Sequence, residues 1–396
     1  MFVRRGKSLR QAARRFGVSL CTVQRWVTRA GEERLDRLNF ADKPLGCPRA
    51  ANRTRSSMEG RVLAIRKRLQ ERSDLGEYGA QAIRREMTRL GIKRAPSVRT
   101  IGRILLRRGV LDGRQRVRRP PPPPGWYLPD VAAGKAELDS FDIVEGLVVR
   151  GSSGRRGTGS KTGTRPVGIE VLNGVSLHGG LVASWPHAGT VTAKSTMASL
   201  LAHWRPFGLP AYVQFDNDRI FAGAHARADT FGRVIRLCLS LAVTPVFAPP
   251  RETGFQAAVE NYNGRWQAKV WARFDHDALA SVLRRSDRFV NAARLRSAAR
   301  IEAAPPRRPF PKGWVVDLQT LRGRVIFLRR SDAGGRVSLL GHTFDVDRNW
   351  ASRLVRAEVD LDEKRIRFYA LRRREPSWQP LLKTHAYQPP TWAFTE

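Results

Sequence analysis

The chain has few cysteines, no long apolar segment and a shortage of acidic residues. Its three cysteines, Cys21, Cys47 and Cys238, are widely separated and form no Cys-x-x-Cys pair, which excludes the usual zinc-finger and disulfide frameworks and favours a reducing compartment. No apolar run has the length of a membrane span, and the basic N-terminus is unlike a signal peptide. These features predict a soluble intracellular protein with no membrane partner.

Basic residues outnumber acidic residues by about two to one. The 396 residues include 72 Lys and Arg but only 35 Asp and Glu, which gives a net charge of +37. Residues 1–119 hold 32 of the basic and 10 of the acidic residues, so 22 of the excess charges lie there. An excess of this size predicts a polyanionic partner. Because 41% of the residues are hydrophobic, we expect folded domains and not a disordered polycation.

Residues 1–45 carry the first DNA-binding pattern. Apolar residues recur at helical spacing on both sides of Gly17-Val18, and Ser19 is a suitable N-cap for the second helix. This pattern predicts a helix-turn-helix, with an ordinary amphipathic hairpin as the alternative. Only seven residues precede Ser8, so the first helix of a trihelical unit is expected to be missing or to start upstream. The candidate DNA-binding residues are Thr22, Gln24, Arg25 and Arg29.

Residues 57–115 predict a second all-helical unit of the same kind. Ser97 is expected to cap its last helix, and apolar residues that include Leu90 are expected to form its small core. A basic helical spacer is the alternative, although two units in tandem would follow a longer stretch of duplex. Residues 116–130 contain a basic proline run and predict an extended linker. The candidate DNA-binding residues of the second unit are Arg99, Thr100, Arg103 and Arg107.

Residues 131–305 predict an α/β domain with a mixed sheet, because several strand patterns are followed by alternating helices and strands. In this basic chain, Asp142 lies inside the apolar strand SFDIV, Asp216 closes the strand AYVQF, and Glu260 lies on a later helix. A carboxylate inside an apolar strand is costly unless a cation compensates it. Three converging carboxylates favour hard divalent cations, whereas capping or ion pairing in an inactive fold is the alternative.

The strings VQFDNDRIF and PVFAPPRETGFQAAVENYNGRWQAKVW resemble the second and third blocks of the DDE transposase and retroviral-integrase core. The similarity is greatest to insertion-sequence transposases that carry tandem helix-turn-helix units before an RNase H-like domain. It implies that Asp142, Asp216 and Glu260 form the catalytic triad and bind two Mg²⁺ ions, with Mn²⁺ as a substitute. Asp139 is the competing first carboxylate; on a strand it would face the opposite side from Asp142.

The same resemblance implies the partners and the setting. The protein would bind double-stranded DNA at element ends and target, act as a homodimer or higher oligomer, and reside in the cytoplasm with the bacterial nucleoid. On the helix of Glu260, Asn263 and Gln267 share its face and are candidate DNA contacts, with surface polarity as the alternative.

Residues 312–380 read as short strands joined by turns and predict a small antiparallel β-barrel, followed by a tail at 381–396. This region resembles the C-terminal β-barrel of such transposases, which implies nonspecific DNA binding or subunit contact. The protein expected is therefore a multidomain transposase that cleaves and joins DNA with metal ions, or else a catalytically inactive, domesticated form that regulates through sequence-specific binding. The arginines of the C-terminal strands that suit DNA binding or subunit contact, with solvated surface arginines as the alternative, are Arg329, Arg330, Arg365, Arg367, Arg372 and Arg373.

Overall fold

The computed structural model divides into two compact units, residues 1–61 and 62–396. Within the part of the chain that the structure describes, no helix combines the length and hydrophobicity needed to span a membrane. Part of the predicted linker, residues 116–123, lies outside that part. The described residues are 2–34, 36, 41, 54–111, 124–149, 166–223, 228–252, 254–373, 375–391 and 394.

The first unit contains the predicted helix-turn-helix, formed by α1 (Leu9–Phe16) and α2 (Leu20–Ala30). Ser8 caps α1 by accepting a hydrogen bond from the backbone of Gln11, whose side chain accepts one from the backbone of Ser8 in return. Gly17 ends α1 at φ +63°, a left-handed conformation that glycine adopts at low cost. Ser19 caps α2. Local capping chemistry therefore fixes the turn.

Three helices follow: α3 (Ser56–Arg72), α4 (Ala80–Arg89) and α5 (Val98–Arg107). Ser97 accepts a hydrogen bond from the backbone of Thr100 and caps α5 as predicted. Leu90, expected in the core, is 42% exposed because α4 has already ended at Arg89. The side chains that form the small core are those of Val62, Ile65, Ile83, Met87, Ile101, Ile104 and Leu105.

One mixed sheet of nine strands dominates the rest of the chain, in the order β11-β10-β9-β6-β5-β4-β1-β2-β3. Strands β1, β4, β5 and β6 run parallel to one another, whereas β2, β3 and β9 to β11 pair antiparallel with their neighbours. The first five strands are β1 (Leu138–Val149), β2 (Val167–Ser176), β3 (Val182–Ala188), β4 (Tyr212–Phe215) and β5 (Thr244–Phe247). The later ones are β6 (Arg324–Arg330), β7 (Arg336–Leu339), β8 (His342–Asp345), β9 (Leu354–Asp360), β10 (Arg365–Ala370) and β11 (Leu381–Ala386).

Helices cover both faces of the sheet, as expected for an α/β domain. On one face, Leu200 and Trp204 pack with Phe141 in the largest core cluster. On the other face, Tyr262 and Trp266 pack against Val144. The helices of this region are α6 (Pro129–Ala132), α7 (Ala193–Phe207), α8 (Arg219–Ala222), α9 (Arg233–Ser240), α10 (Ala257–Trp266) and α11 (Leu279–Glu302), with a π-helical turn at Gln267–Trp271 after α10.

The C-terminal strands differ from the separate barrel that the sequence predicted. Strand β6 pairs with β5, through Val246 with Ile326 and Phe247 with Phe327, so β6 and β9 to β11 continue the core sheet. The physical reason is that residues 325–328 are buried on both sides of the strand, as in the interior of a sheet. Strand β11, assigned to the tail, pairs with β10, while β7 and β8 form a hairpin of their own.

The end of the predicted linker is buried. Trp126, Tyr127 and Leu128 are each less than 5% exposed and pack with Val246 and Ile326. Burial of large aromatic side chains outweighs the extended preference of the preceding prolines. The linker therefore ends before Trp126, and the residues after it belong to the core.

Candidate catalytic site

Asp142 lies on β1, opposite Asn173 of β2, and is half-buried. One carboxylate oxygen, Oδ1, accepts a hydrogen bond from the backbone N–H of Ile143 at 3.0 Å. The other, Oδ2, accepts one from the side-chain amide of Asn263 on α10 at 2.7 Å. Strand β1 and helix α10 together therefore fix the orientation of this carboxylate.

Asp216 directly follows β4, the parallel neighbour of β1, and is also half-buried. Its Oδ1 accepts a hydrogen bond from the backbone N–H of Asp218 at 3.0 Å, which closes a tight turn. Asp218 in turn accepts a hydrogen bond from the backbone N–H of Ile220 at 2.8 Å and so caps α8. The carboxylate of Asp216 is thus held by the turn that it starts.

The charges of this region act on one another. Burial, together with the negative charge of Asp216 and a smaller effect from Glu260, raises the pKa of Asp142 to about 6. Burial also raises the pKa of Asp216, helped by the charges of Asp218 and Glu145. Each carboxylate is therefore costly to ionise beside the others, and a cation bound between them would relieve the repulsion.

Glu260 is less closely gathered than the two aspartates. One face of α10 packs into the core through Val259, Tyr262 and Trp266. Glu260 lies exposed on another part of the helix. Among the described residues, no group of three His, Cys, Asp or Glu side chains is placed to hold a metal ion. The structure thus brings Asp142 and Asp216 together and leaves Glu260 within electrostatic range of Asp142.

Asn263, predicted to contact DNA, forms hydrogen bonds inside the protein. Its amide nitrogen donates to Asp142, and its carbonyl oxygen accepts a 2.8 Å hydrogen bond from the side chain of Asn173. Gln267, predicted for the same role, is exposed in the π-helical turn. Sequence reasoning missed Asn173, although a polar residue inside the apolar string VGIEVLNGVS is the same signal that singled out Asp142.

Asp139, the competing first carboxylate, faces the opposite side of the sheet from Asp142, as the strand period predicts. It is fully buried, forms an ion pair with Arg307, and accepts a 3.1 Å hydrogen bond from the indole N–H of Trp204. Its carboxylate is therefore satisfied within the fold. Nearby, burial lowers the pKa of His203 to about 4, so this histidine is neutral at physiological pH.

The candidate DNA-reading helices share one local design. Thr22 on α2 and Thr100 on α5 each pair their hydroxyl with the capping serine three residues before, at 2.8 and 2.9 Å. Arg29 stacks over the ring of Trp26 at 5.0 Å. The remaining candidates, Gln24, Arg25, Arg99, Arg103 and Arg107, are exposed.

Comparison with known proteins identifies the first unit. Residues 1–38 match the model of a homeodomain-like helix-turn-helix family. No curated protein matches the sequence of the chain.

Solved structures with weak similarity are integrases and transposases. They include the simian T-cell lymphotropic virus intasome (14% identity, TM-score 0.33, 70% of this chain and 84% of that one) and the BIV integrase catalytic core (16%, 0.26, 40% and 80%). The Mos1 strand transfer complex aligns at 15% identity and a TM-score of 0.26, over 76% of this chain and 94% of that one. Similarity this low leaves the function to be argued from the chain's own residues.

The raised pKa of Asp142 predicts a specific dependence of stability on pH. The folded protein holds a proton on Asp142 up to about pH 6, whereas the unfolded chain loses it near pH 4, so this carboxylate lowers stability progressively as pH rises through that window. In metal-free protein, Asp142→Asn should therefore stabilise the fold by about 1–3 kcal/mol at pH 7.5 and by almost nothing at pH 4. Urea unfolding of both proteins at the two pH values measures this difference. An equal effect of the substitution at both pH values would contradict a raised pKa for Asp142.

Proposed function

We propose that this protein is a DNA transposase that binds the ends of a mobile element and catalyses metal-dependent strand cleavage and strand transfer. The observation that carries the proposal is the pair of half-buried carboxylates, Asp142 and Asp216, on adjacent parallel strands of a chain with net charge +37. Uncompensated acids at such a position, where the charge of Asp216 raises the pKa of Asp142, are typical of a site that takes up cations.

The donor atoms fit Mg²⁺ or Mn²⁺, because both prefer carboxylate oxygens. Asp142 and Asp216 would hold the ions, and Glu260 on α10 would complete the ligand set. Two such ions, when bound, would supply activation of the attacking oxygen and stabilisation of the leaving oxygen in phosphodiester transfer.

The chain's own residues contribute orientation and charge. Asn263 and Asn173 hold the carboxylate of Asp142, and the turn at Asp218 holds that of Asp216. Such fixed placement lowers the activation barrier, because the groups around the reacting atoms need little reorganisation during the reaction. The strand order β3-β2-β1-β4-β5 agrees with the RNase H-like core that the sequence resemblance implies.

The helical units would supply recognition of DNA. The homeodomain-like unit would read duplex DNA through α2, and the basic residues of α5 would add contacts with the phosphate backbone. Two element ends must be joined in one reaction, so a dimer or larger assembly on DNA is part of the proposal.

A second candidate is a DNA-binding regulator derived from such an enzyme and lacking catalysis. The observation that favours it is the exposed position of Glu260, which is not gathered with the two aspartates. Under this alternative, Asp142 and Asp216 would persist as structural residues.

A strand-transfer assay separates the two functions. The probe is a labelled duplex carrying the DNA that flanks the coding sequence, incubated with the full chain, Mg²⁺ and a supercoiled target plasmid. We expect nicking at the junction and covalent joining to the plasmid, both lost with EDTA. Tight binding without cleavage would overturn the proposal in favour of the regulator, whereas cleavage without joining would indicate a nuclease.

A further inference from the structure

Arg329 and Arg330 end strand β6 and were assigned to DNA binding by their sequence alone. Strand β6 is parallel to β5, which is parallel to β4. The ends of parallel strands meet at one edge of a sheet, so both arginines lie at the edge where β4 ends and Asp216 begins its turn.

Arg329 is hydrogen-bonded to the residue next to Asp216. Its Nη2 donates to Asn217 Oδ1 at 3.0 Å, and Asn217 Nδ2 donates to the carbonyl of Ala248, just after β5, at 2.6 Å. The guanidinium also donates to the carbonyl of Leu328 and stacks on Phe327 at 5.1 Å. Burial lowers its pKa to about 10. A half-buried arginine with uncharged acceptors therefore holds the turn that carries Asp216.

Arg330 is bound to the loop that leads to Glu260. Its Nε donates to Glu252 at 2.6 Å, and its Nη1 donates to the carbonyl of Ser352 at 2.6 Å. Glu252 lies between β5 and α10, eight residues before Glu260. This ion pair connects the entry of α10 to the C-terminal strands.

The same loop is held at a second point, by aromatic packing. Phe255 packs against the rings of Trp126 and Tyr127, with centroids 5.7 and 5.4 Å away. The carbonyls of Trp126 and Tyr127 accept hydrogen bonds from Gln379 and Arg356, which belong to the C-terminal part of the chain. Residues outside 131–305 thus hold the loop before α10 at two points, Glu252 and Phe255.

We propose that Arg329 and Arg330 are positioning residues of the catalytic site and not DNA contacts. Arg329 holds the turn after Asp216, and Arg330 holds the loop before the helix of Glu260, so one C-terminal strand sets two of the three carboxylates relative to each other. The proposal rests on the proposed role of those carboxylates, and its structural part can be tested without any reaction.

The structural part is tested by limited trypsin digestion of the full chain. Arg251, exposed at φ +60° in the loop beside Glu252, is the reporting cleavage site. Arg330→Gln should speed cleavage after Arg251 by about three- to tenfold, because local opening exposes the loop. Arg330→Lys, which keeps a positive charge opposite Glu252, should retain most of the protection. Arg348→Gln is the matched control, because it removes another exposed arginine from the C-terminal part of the chain.

The catalytic part is tested by strand transfer and DNA affinity. Arg329→Gln should lower the rate by about ten- to a hundredfold, because small misplacements of reacting groups carry such costs. Arg329→Lys keeps the charge but not the planar guanidinium and should behave like Arg329→Gln. The affinity for the duplex and its salt dependence should stay unchanged. A thermal unfolding scan distinguishes a folded variant with a displaced site from one that is unfolded.

Three outcomes decide between the possibilities. Unchanged trypsin protection, together with weaker binding and a shallower salt dependence, would overturn the proposal and make both arginines phosphate contacts. Arg329→Lys with full strand-transfer activity would also overturn it. Faster cleavage after Arg251 in a protein that never joins DNA would support the positioning contacts and reject the transposase function instead.

Discussion

Under the proposed function, Asp216→Asn is expected to reduce strand cleavage and strand transfer by at least about a thousandfold, since the substitution removes the charge of a proposed metal ligand. The turn should survive, because an asparagine carbonyl can accept the hydrogen bond that Asp218 donates from its backbone. The affinity for duplex DNA should stay within about twofold, since no charge is lost from the helical units. Single-turnover strand transfer and filter binding measure the two quantities.

Asp218→Asn is the matched control for this experiment. Asp218 caps α8 through its side chain, and asparagine is as good an N-cap as aspartate. We expect activity within about fivefold of the unmodified protein. If Asp218→Asn were as harmful as Asp216→Asn, the loss would follow from the turn and not from the charge at Asp216.

Asp139→Asn is expected to cause the largest loss of stability, about 3–5 kcal/mol, because it leaves the guanidinium of Arg307 buried without its charged partner. The contrast is with Asp142→Asn, which relieves repulsion and should stabilise the metal-free fold at neutral pH. Two aspartates three positions apart on one strand should thus respond in opposite directions. Urea unfolding at pH 7.5 gives both values.

The double substitution Asp139→Leu with Arg307→Met controls for the loss of packing. Removing both charges should recover the part of the loss that comes from the unpaired guanidinium, while the indole N–H of Trp204, left without its acceptor, should keep about 1–3 kcal/mol of it. An Asp139→Asn protein that unfolds normally but no longer cleaves DNA would instead identify Asp139 as the first catalytic carboxylate.

Helices α2 and α5 could be predicted from sequence because their determinants are local. Ser19 and Ser97 cap helices whose first turns lie within three residues, and Gly17 supplies the turn. The positions of Asp142 and Asp216 relative to their strands were likewise predictable, because each acid lies within or directly after a short apolar string. Each of these signals depends on near neighbours in the chain.

Features that depend on distant residues were not predictable in the same way. The pairing of β5 with β6 joins residues about eighty positions apart, and the hydrogen bond from Asn263 to Asp142 spans 121 positions. Helical spacing gave the face of α10 on which Asn263 lies but not the partner of its amide. The continuous apolar string VIFL at 325–328 was an overlooked hint of this pairing, since such runs are typical of strands buried on both faces.

The pairing of β5 with β6 also has a consequence for how the protein is made. Synthesis proceeds from the N-terminus, so β5 and Asp216 leave the ribosome well before Arg324–Arg330. During that interval the side of β5 that will receive β6 is an open sheet edge, which is prone to pairing with other chains. The contact of Arg329 with Asn217, beside Asp216, therefore forms only after the C-terminal strands have been made.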